Sequence, residues 1–556
     1  MKKNIIKDLI IITIFTIFAG ILSVNYGVDR SADMRNYHIY NPWAFLNNRM
    51  SVDIMPADIQ SYFNPLLDIP YFMMIKYLNN HPVFVTFLCG IFYAFYLYLI
   101  YKIAELVFKN YNKYLASIIS VIVASGTHML LSRLGWITHD MFISDLILIS
   151  LYLIFKSFDK EYHPKLMFVS GLLLGCTVGF KYTSAIFVFP IFLTFLIFYK
   201  QFASPLKSFM YLCFGACAGV LVTDGFWMIK LYREFGNPLF PYFNWLFHSD
   251  YINVSNVYSM DYIYKSTNVK DLLVWPFYYH DDLRLKVLLC IFFINLFLIP
   301  FVKKENFKEI FNINITYVDF LLIFAFISYV IWLYTFAVPR YYSFIMGMVG
   351  VMSIVVILKL CYLLNCLLSF VQDKFKIHNK LSILKYNNLI MILIFTILLV
   401  SFFPRYSLPK TKRLLRVNID KQLLNANDAQ IPDNSIVFVQ RGAGIIVPFQ
   451  NPNAVYIGLN SERYTKAGVT LLSNKVINKI KYMMKQNPDK IYLLTNINLY
   501  RYIGRQYSPN SSQILYELDK LGLNTYTMEC EGLDTMFVDK YNHMRMLYKL
   551  CKLEPK

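Results

Sequence analysis

The 556 residues are 57% hydrophobic and only 16% charged, with a mean hydropathy of +0.44 and 18% aromatics. Soluble chains run at about 45–50% apolar and about 25% charged, so this composition excludes an ordinary soluble enzyme and requires lipid as a second solvent. The net charge of +20 would suit nucleic acid, but the cations stand in short gaps between apolar runs and no recognition motif accompanies them. That partner class is set aside.

Met1-Lys2-Lys3, followed by an apolar run from Leu9 to Val24, reads as an uncleaved first span with its N-terminus in the cytoplasm, since no small-residue cleavage pair follows. At about 20 apolar residues per crossing, the pattern predicts a mainly α, polytopic membrane protein with about 11 transmembrane helices. They fall at 8–24, 82–106, 114–127, 141–156, 166–180, 184–199, 208–226, 285–302, 316–336, 343–364 and 388–403. Lysines 109 and 113; 156, 160 and 165; 200 and 207; 303, 304 and 308; and 374, 376, 380 and 385 occupy every second gap. This is the bias of cytoplasmic loops. The alternate gaps are very short, as at Lys181 and Arg340, or long and mixed in charge, as at 25–81 and 227–284.

An odd number of crossings puts the tail, from about Pro404, outside the cytoplasm. Ile436–Val439, Val455–Gly458, Ile491–Leu494 and Asn524–Met528 read as strands, and Leu472–Lys485 and Ser512–Leu521 as amphipathic helices. The expected organisation is a membrane domain over 1–403 and a small α/β extracytoplasmic C-terminal domain over 404–556. Seven cysteines lie in or beside the spans. Cys530 and Cys551 are the two in the tail, where an oxidising compartment favours their pairing.

The densest polar constellation is the first long loop. It holds Asp29, Asp33, Tyr37, His38, Asn64 and Asp68 among several aromatics. Sugar sites use this mixture: amides and carboxylates for hydroxyls, ring faces for C–H surfaces, and a carboxylate for proton transfer. Asp140 opens the fourth span, either as a helix cap or as a charge facing an outer cavity. His139, Asp140 and Asp33 have donor types that suit a divalent cation, at a spacing that is not diagnostic. Lys181 and Arg340 stand at outer span ends, against the positive-inside bias. An anionic ligand such as a lipid phosphate offsets that cost, and snorkelling to headgroups is the plainer alternative. A further turn-forming stretch, Gly236 to Pro241, includes Asn237. No P-loop, GxSxG elbow, HExxH or GxGxxG template occurs, so the donor must come from the membrane.

The stretches Asp33–Tyr40 (Asp-x-x-Asn-Tyr-His-x-Tyr), Asn64–Pro70, Gly179–Thr183 and Gly236–Pro241, with Arg340-Tyr341, resemble the GT-C superfamily of polytopic glycosyltransferases. More narrowly the chain is similar to bacterial relatives of polyprenol-phosphate-mannose-dependent transferases. The resemblance implies a hexosyltransferase of the cytoplasmic (inner) membrane, with a polyprenyl-phosphate-linked sugar as donor, an envelope glycan or lipid as acceptor, and membrane lipids as surroundings. It implies a first-loop carboxylate as base. That role falls on Asp33 or Asp29, because the adjacent acidic pair of some members is missing here. It also implies inversion, with Arg340 and Lys181 on the leaving phosphate and Tyr37, His38, Asn64, Asp140, Asn237 and Tyr341 around the substrates. No cofactor is fixed by it, and a divalent cation is compatible. A flippase for lipid-linked glycans and a polysaccharide polymerase or ligase are the competing readings.

Overall fold

The structure is a computed structural model describing every residue except 1, 30, 110–111, 132, 136–138, 159–160, 255–281, 376–392, 395, 399–400, 402–413, 416–423, 425, 427, 460–470, 497–512, 526–527 and 534–547. The chain opens with α1 (Lys2–Tyr26). The first long loop then carries β1 (Val28–Asp29), α2 (Tyr40–Leu46), β2 (Pro56–Ile59) and α3 (Ile69–Leu78). The bundle continues with α4 (Pro82–Leu88), α5 (Ile91–Phe108), α6 (Lys113–Ser125), α7 (His128–Leu131), α8 (Asp140–Lys156), α9 (Pro164–Phe180), α10 (Ala185–Ile197) and α11 (Pro205–Phe235). After the short α12 (Asn244–Phe247) come α13 (Leu283–Leu298), α14 (Lys304–Phe311), α15 (Ile315–Thr335), α16 (Pro339–Gly347) and α17 (Val349–Lys374).

Helices thus stand at ten of the predicted positions, while the last, 388–403, lies largely outside the described residues, as does 255–281 of the second loop. Among the described residues, five stretches have the length and apolarity to cross a membrane: Ile5–Tyr26, Pro82–Phe108, Pro205–Phe235, Ile315–Thr335 and Val349–Lys374. On α1, Ile5, Ile6, Leu9, Ile10, Ile14 and Ile17 are each more than half exposed. A stripe of that size needs lipid around it. The chain is a multi-pass membrane protein.

Two boundaries differ from expectation. The seventh helix was expected to stop at 226 but runs on to Phe235, about 46 Å at 1.5 Å per residue. Trp227, Leu231 and Phe235, spaced by four, continue its buried stripe until Gly236, at φ +67°, ends it. The tenth begins earlier and is two helices, α16 and α17, so Arg340 sits in a helical first turn rather than in a connecting gap. Elsewhere the bundle is drawn tight by small residues. A Cβ on Gly175 of α9 would stand 1.9 Å from the Ala216 carbonyl oxygen of α11, and one on Gly219 2.1 Å from that of Leu172. Such backbone approach is how helices associate where lipid removes the hydrophobic drive.

The tail adds β3 (Leu414–Leu415), β4 (Ile436–Val439), β5 (Val455–Gly458), α18 (Asn474–Gln486), β6 (Ile491–Asn496), α19 (Gln513–Lys520), β7 (Cys530–Leu533) and β8 (Tyr548–Lys552). The sheet order is β5-β4-β6-β8-β7, with β5, β4 and β6 parallel and β8 and β7 antiparallel. The expected strand at Asn524–Met528 lies partly outside the described residues, and its described positions, 524, 525 and 528, are not in a strand. The edge strand is instead Cys530–Leu533, joined across the register to β8 by a Cys530–Cys551 disulfide.

The first loop and the sheet share a core. Alternate residues of β4 face opposite ways, as a pleated strand dictates. Ile436 and Phe438 pack in one apolar cluster with Trp227, Leu231, Phe235 and Ile480. Val437 and Val439 pack in another with Met34, Tyr37, Tyr40, Trp43 and Ala57. The Arg49 guanidinium donates to Asp53 Oδ1 and Oδ2 and to the carbonyls of Pro452 and Ala454. Asp53 Oδ1 in turn accepts from the Tyr456 amide at 3.0 Å. The division of the sequence near 403 therefore does not divide the packing.

Candidate active site

Four segments deliver charge to the end of the bundle beneath this shared core. Asp33 stands at the start of a π-helical turn, Met34–His38. Asp140 is the first residue of α8, Lys181 follows the last turn of α9, and Arg340 lies in the first turn of α16 behind Pro339. The α16 start is pinned where the Trp332 indole N–H donates to the Val338 carbonyl at 2.8 Å. Proline at this position suits a helix start, and the positive end of the helix dipole there favours an anion.

The charges form one chain of ion pairs. Arg340 Nη1 lies 2.8 Å from Asp33 Oδ2, and Arg340 Nε 3.4 Å from Asp140 Oδ2. Lys181 Nζ donates to Asp140 Oδ1. Tyr341 sits among them, its ring centroid 4.6 Å from Lys181 Nζ and 5.4 Å from the Arg340 guanidinium. These four ionic side chains are 11–20% exposed. Arg340 Nε and Asp140 Oδ2 face each other without forming a hydrogen bond, so this pair is the loosest link of the cluster. Burial alone would raise the Asp33 pKa, but Arg340, with His38 behind it, holds the carboxyl well below the usual carboxylate range.

Asp29, the other candidate base, is differently employed. It lies in β1, is fully buried, and accepts from the Ser31 amide at 2.7 Å. The Ser31 hydroxyl then accepts from the Met34 amide, so Asp29 shapes the turn that presents Asp33. A close approach fixes the neighbouring loop. Gly135, at φ +76°, leaves no room for a Cβ, which would lie 1.9 Å from the Gly27 carbonyl oxygen. The loop bearing His139 and Asp140 is thereby held against the turn bearing Asp29 and Asp33.

Tyr37 is buried, with its ring centroid 4.1 Å from that of His38 and 5.6 Å from that of Phe63. His38 Nδ1 lies 2.6 Å from Asp68 Oδ1, and His139 Nε2 reaches the same oxygen at 2.7 Å. Burial works to lower the His38 pKa, but Asp68 more than offsets it and the net direction is up. For His139 burial prevails and the direction is down. Burial would raise Asp68, yet the two imidazoles hold its carboxyl low.

Asn64 and Asn237 are not brought to the ion cluster. The Asn64 amide donates to the carbonyls of Gly179 and Thr223 and to Asp224 Oδ1, at 2.9–3.0 Å, tying the first loop to α9 and α11. Asn237 donates to the Tyr242 carbonyl and accepts from the Leu239 amide, both at 2.9 Å, which closes its own turn. Arg133 is a member of this charged neighbourhood that the sequence motifs do not single out: burial lowers its pKa to about 10. Its signal in the sequence is a cation in a predicted outer gap, the same one carried by Lys181 and Arg340.

Residues 70–227 match the family described as dolichyl-phosphate-mannose-protein mannosyltransferase. No curated protein matches the chain. Among solved structures, ArnT from Cupriavidus metallidurans, whose crystal structure is bound to undecaprenyl phosphate, aligns at 8% identity with a TM-score of 0.49, over 98% of this chain and 97% of that one. The family match runs from α3 into α11, as far as Trp227, and over those residues it bears out the resemblance of this membrane protein to the GT-C superfamily.

Proposed function

We propose that this chain is a glycosyltransferase that moves a sugar from a polyprenyl-phosphate carrier to an envelope glycan or lipid at the outer face of the cytoplasmic membrane. The observation that carries the reading is the Asp33–Arg340–Asp140–Lys181 cluster. It sets two cations and two carboxylates at a partly open helix end, with one of their ion pairs too long for a hydrogen bond. The family match supports the same class, since its description names a polyprenyl-phosphate-linked sugar. We read 1–403 as the catalytic membrane unit and 404–556 as an extracytoplasmic unit lending its sheet to the first loop.

The mechanism follows from competition for Arg340. A donor phosphate offers the guanidinium fork a better match than a single carboxylate oxygen does, and Lys181 and the α16 N-terminus add to its binding. Asp33 is thereby released from its ion pair. Burial, formerly overruled by Arg340, then raises its basicity. The carboxylate takes the proton of the acceptor hydroxyl while that oxygen attacks the anomeric carbon from the face opposite the phosphate. The anomeric C–O bond breaks, its electron pair leaves on the phosphate, and configuration inverts. Arg340 and Lys181 hold the charge that develops on the leaving group. Tyr37, Tyr341 and the imidazoles line the approach to Asp33.

Lipid and glycan analysis of a deletion strain tests the class. A transferase predicts accumulation of the polyprenyl-phosphate sugar and an acceptor lacking one residue. Accumulation of complete, untransported lipid-linked glycan would identify a flippase instead.

A further inference from the structure

Three buried side chains beside the ion cluster converge on one point. His38 comes from the π turn, Asp68 from the residue before α3, and His139 from the residue before α8. Their ligand-type atoms all lie within 4.8 Å of one another. His38 and Asp68 side chains are 1% exposed and His139 10%. The remaining oxygen of the carboxylate, Asp68 Oδ2, is buried without a hydrogen-bond partner, and so is His38 Nε2. A buried carboxylate faced by two imidazoles, with half of its acceptor capacity unused, is poorly satisfied by protons alone.

We propose that His38, Asp68 and His139 hold a divalent transition-metal ion of the zinc class. Two imidazole nitrogens and a carboxylate oxygen are a borderline donor set that suits Zn²⁺ or Co²⁺, whereas Mg²⁺ and Ca²⁺ take oxygen. Tetrahedral bonds of about 2.0–2.2 Å place ligand atoms about 3.3–3.6 Å apart, so a metal asks the widest separation, within 4.8 Å, to shrink and the two imidazole contacts to Asp68, now 2.6 and 2.7 Å, to open by under about 1 Å. Three protein ligands leave a position for water or a substrate oxygen. The ion would also join the segment of Asp33 to that of Asp140, since His38 follows the first by five residues and His139 precedes the second. The set is distinct from His139, Asp140 and Asp33, because Arg340 and Lys181 already engage those two carboxylates.

The test is metal binding by the full chain in detergent, purified without a polyhistidine tag, stripped with chelator and titrated with Zn²⁺ or Co²⁺. Wild type should take up about one equivalent, and Co²⁺ should give the visible absorption of a low-coordinate nitrogen and oxygen site. Asp68→Asn and His139→Ala should weaken binding by more than the about 10–100-fold that outer-shell changes cost. Asp33→Asn should bind as wild type does. No uptake by wild type, or equal binding in Asp68→Asn and His139→Ala, overturns the proposal. Where those variants fail to fold, the wild-type titration and its Co²⁺ spectrum decide alone. The readout needs no sugar transfer, so it stands or falls apart from the transferase reading.

Discussion

Two ion clusters in this protein use the same residue types to different ends. Between α13, α15 and α17, Lys359 Nζ donates to Asp319 Oδ1 at 2.6 Å and to Asn295 Oδ1 at 2.7 Å. Asn295 Nδ2 closes the triangle on Asp319 at 3.0 Å, and the Lys359 side chain is 1% exposed. At the loop end, Arg340, Asp33, Asp140 and Lys181 are 11–20% exposed, and Arg340 Nε and Asp140 Oδ2 make no hydrogen bond. A closed triangle offers a ligand nothing. An open chain of pairs can exchange a carboxylate for a phosphate with the cations neutralised throughout, the cost falling on the released carboxylate. Charge in a membrane protein is therefore informative chiefly where its partners are incomplete.

That contrast is breakable. Lys359→Met alone strands the Asp319 charge and should destabilise the bundle by about 3–5 kcal/mol, read as a lower melting temperature in detergent. Lys359→Met with Asp319→Leu should recover most of that loss, since replacing both partners of a buried pair is often neutral or stabilising. If the double variant is as unstable as the single one, the triangle is more than a mutual neutralisation. In the tail, Cys530→Ser opens a cross-link spanning 21 residues. It should cost about 3 kcal/mol on the chain-entropy account, and equal melting with and without reductant would contradict it.

The open cluster should respond in activity rather than stability. Arg340→Lys keeps the charge and loses the fork, so transfer should fall about 10- to 100-fold with little change in melting temperature. A large thermal shift with unchanged turnover would mean that Arg340 is structural, like Lys359. Asp29→Asn, which loosens the turn that presents Asp33, should lower transfer by less than about tenfold. A greater loss than in Asp33→Asn would move the base to Asp29.

The helices were legible in the sequence because lipid imposes long apolar runs, and Val349–Lys374 or Ile315–Thr335 cannot be mistaken for anything soluble. The ion cluster was partly legible for a related reason. On the topology expected from the sequence, Lys181 and Arg340 run against the positive-inside bias, and that expectation marks them both although they are far apart in the chain. The His38–Asp68–His139 convergence carries no such mark, since its partners are 30 and 71 residues apart and each is ordinary in a polar loop. The core shared by loop and sheet was likewise hidden: Arg49 meets Pro452 and Ala454 through contacts that leave no local pattern. The edge strand Cys530–Leu533, with Glu531 and Gly532 at its centre, lacks the β-branched and aromatic residues that mark a strand in sequence, whereas Asn524–Met528 carries Thr525, Tyr526 and Thr527. Periodicity also predicted too short an α11, because its last turns bury a stripe against protein rather than lipid.

Transfer by this mechanism requires that Asp33, once the donor phosphate has drawn Arg340 away, take the proton of the acceptor. That requirement is tested most directly by following labelled sugar from a polyprenyl-phosphate donor in reconstituted wild type and Asp33→Asn, with folding checked by thermal melting. Loss of about 10²–10⁴-fold in turnover, with donor binding retained and the fold intact, is the predicted result. Turnover in Asp33→Asn within a few-fold of wild type would contradict it.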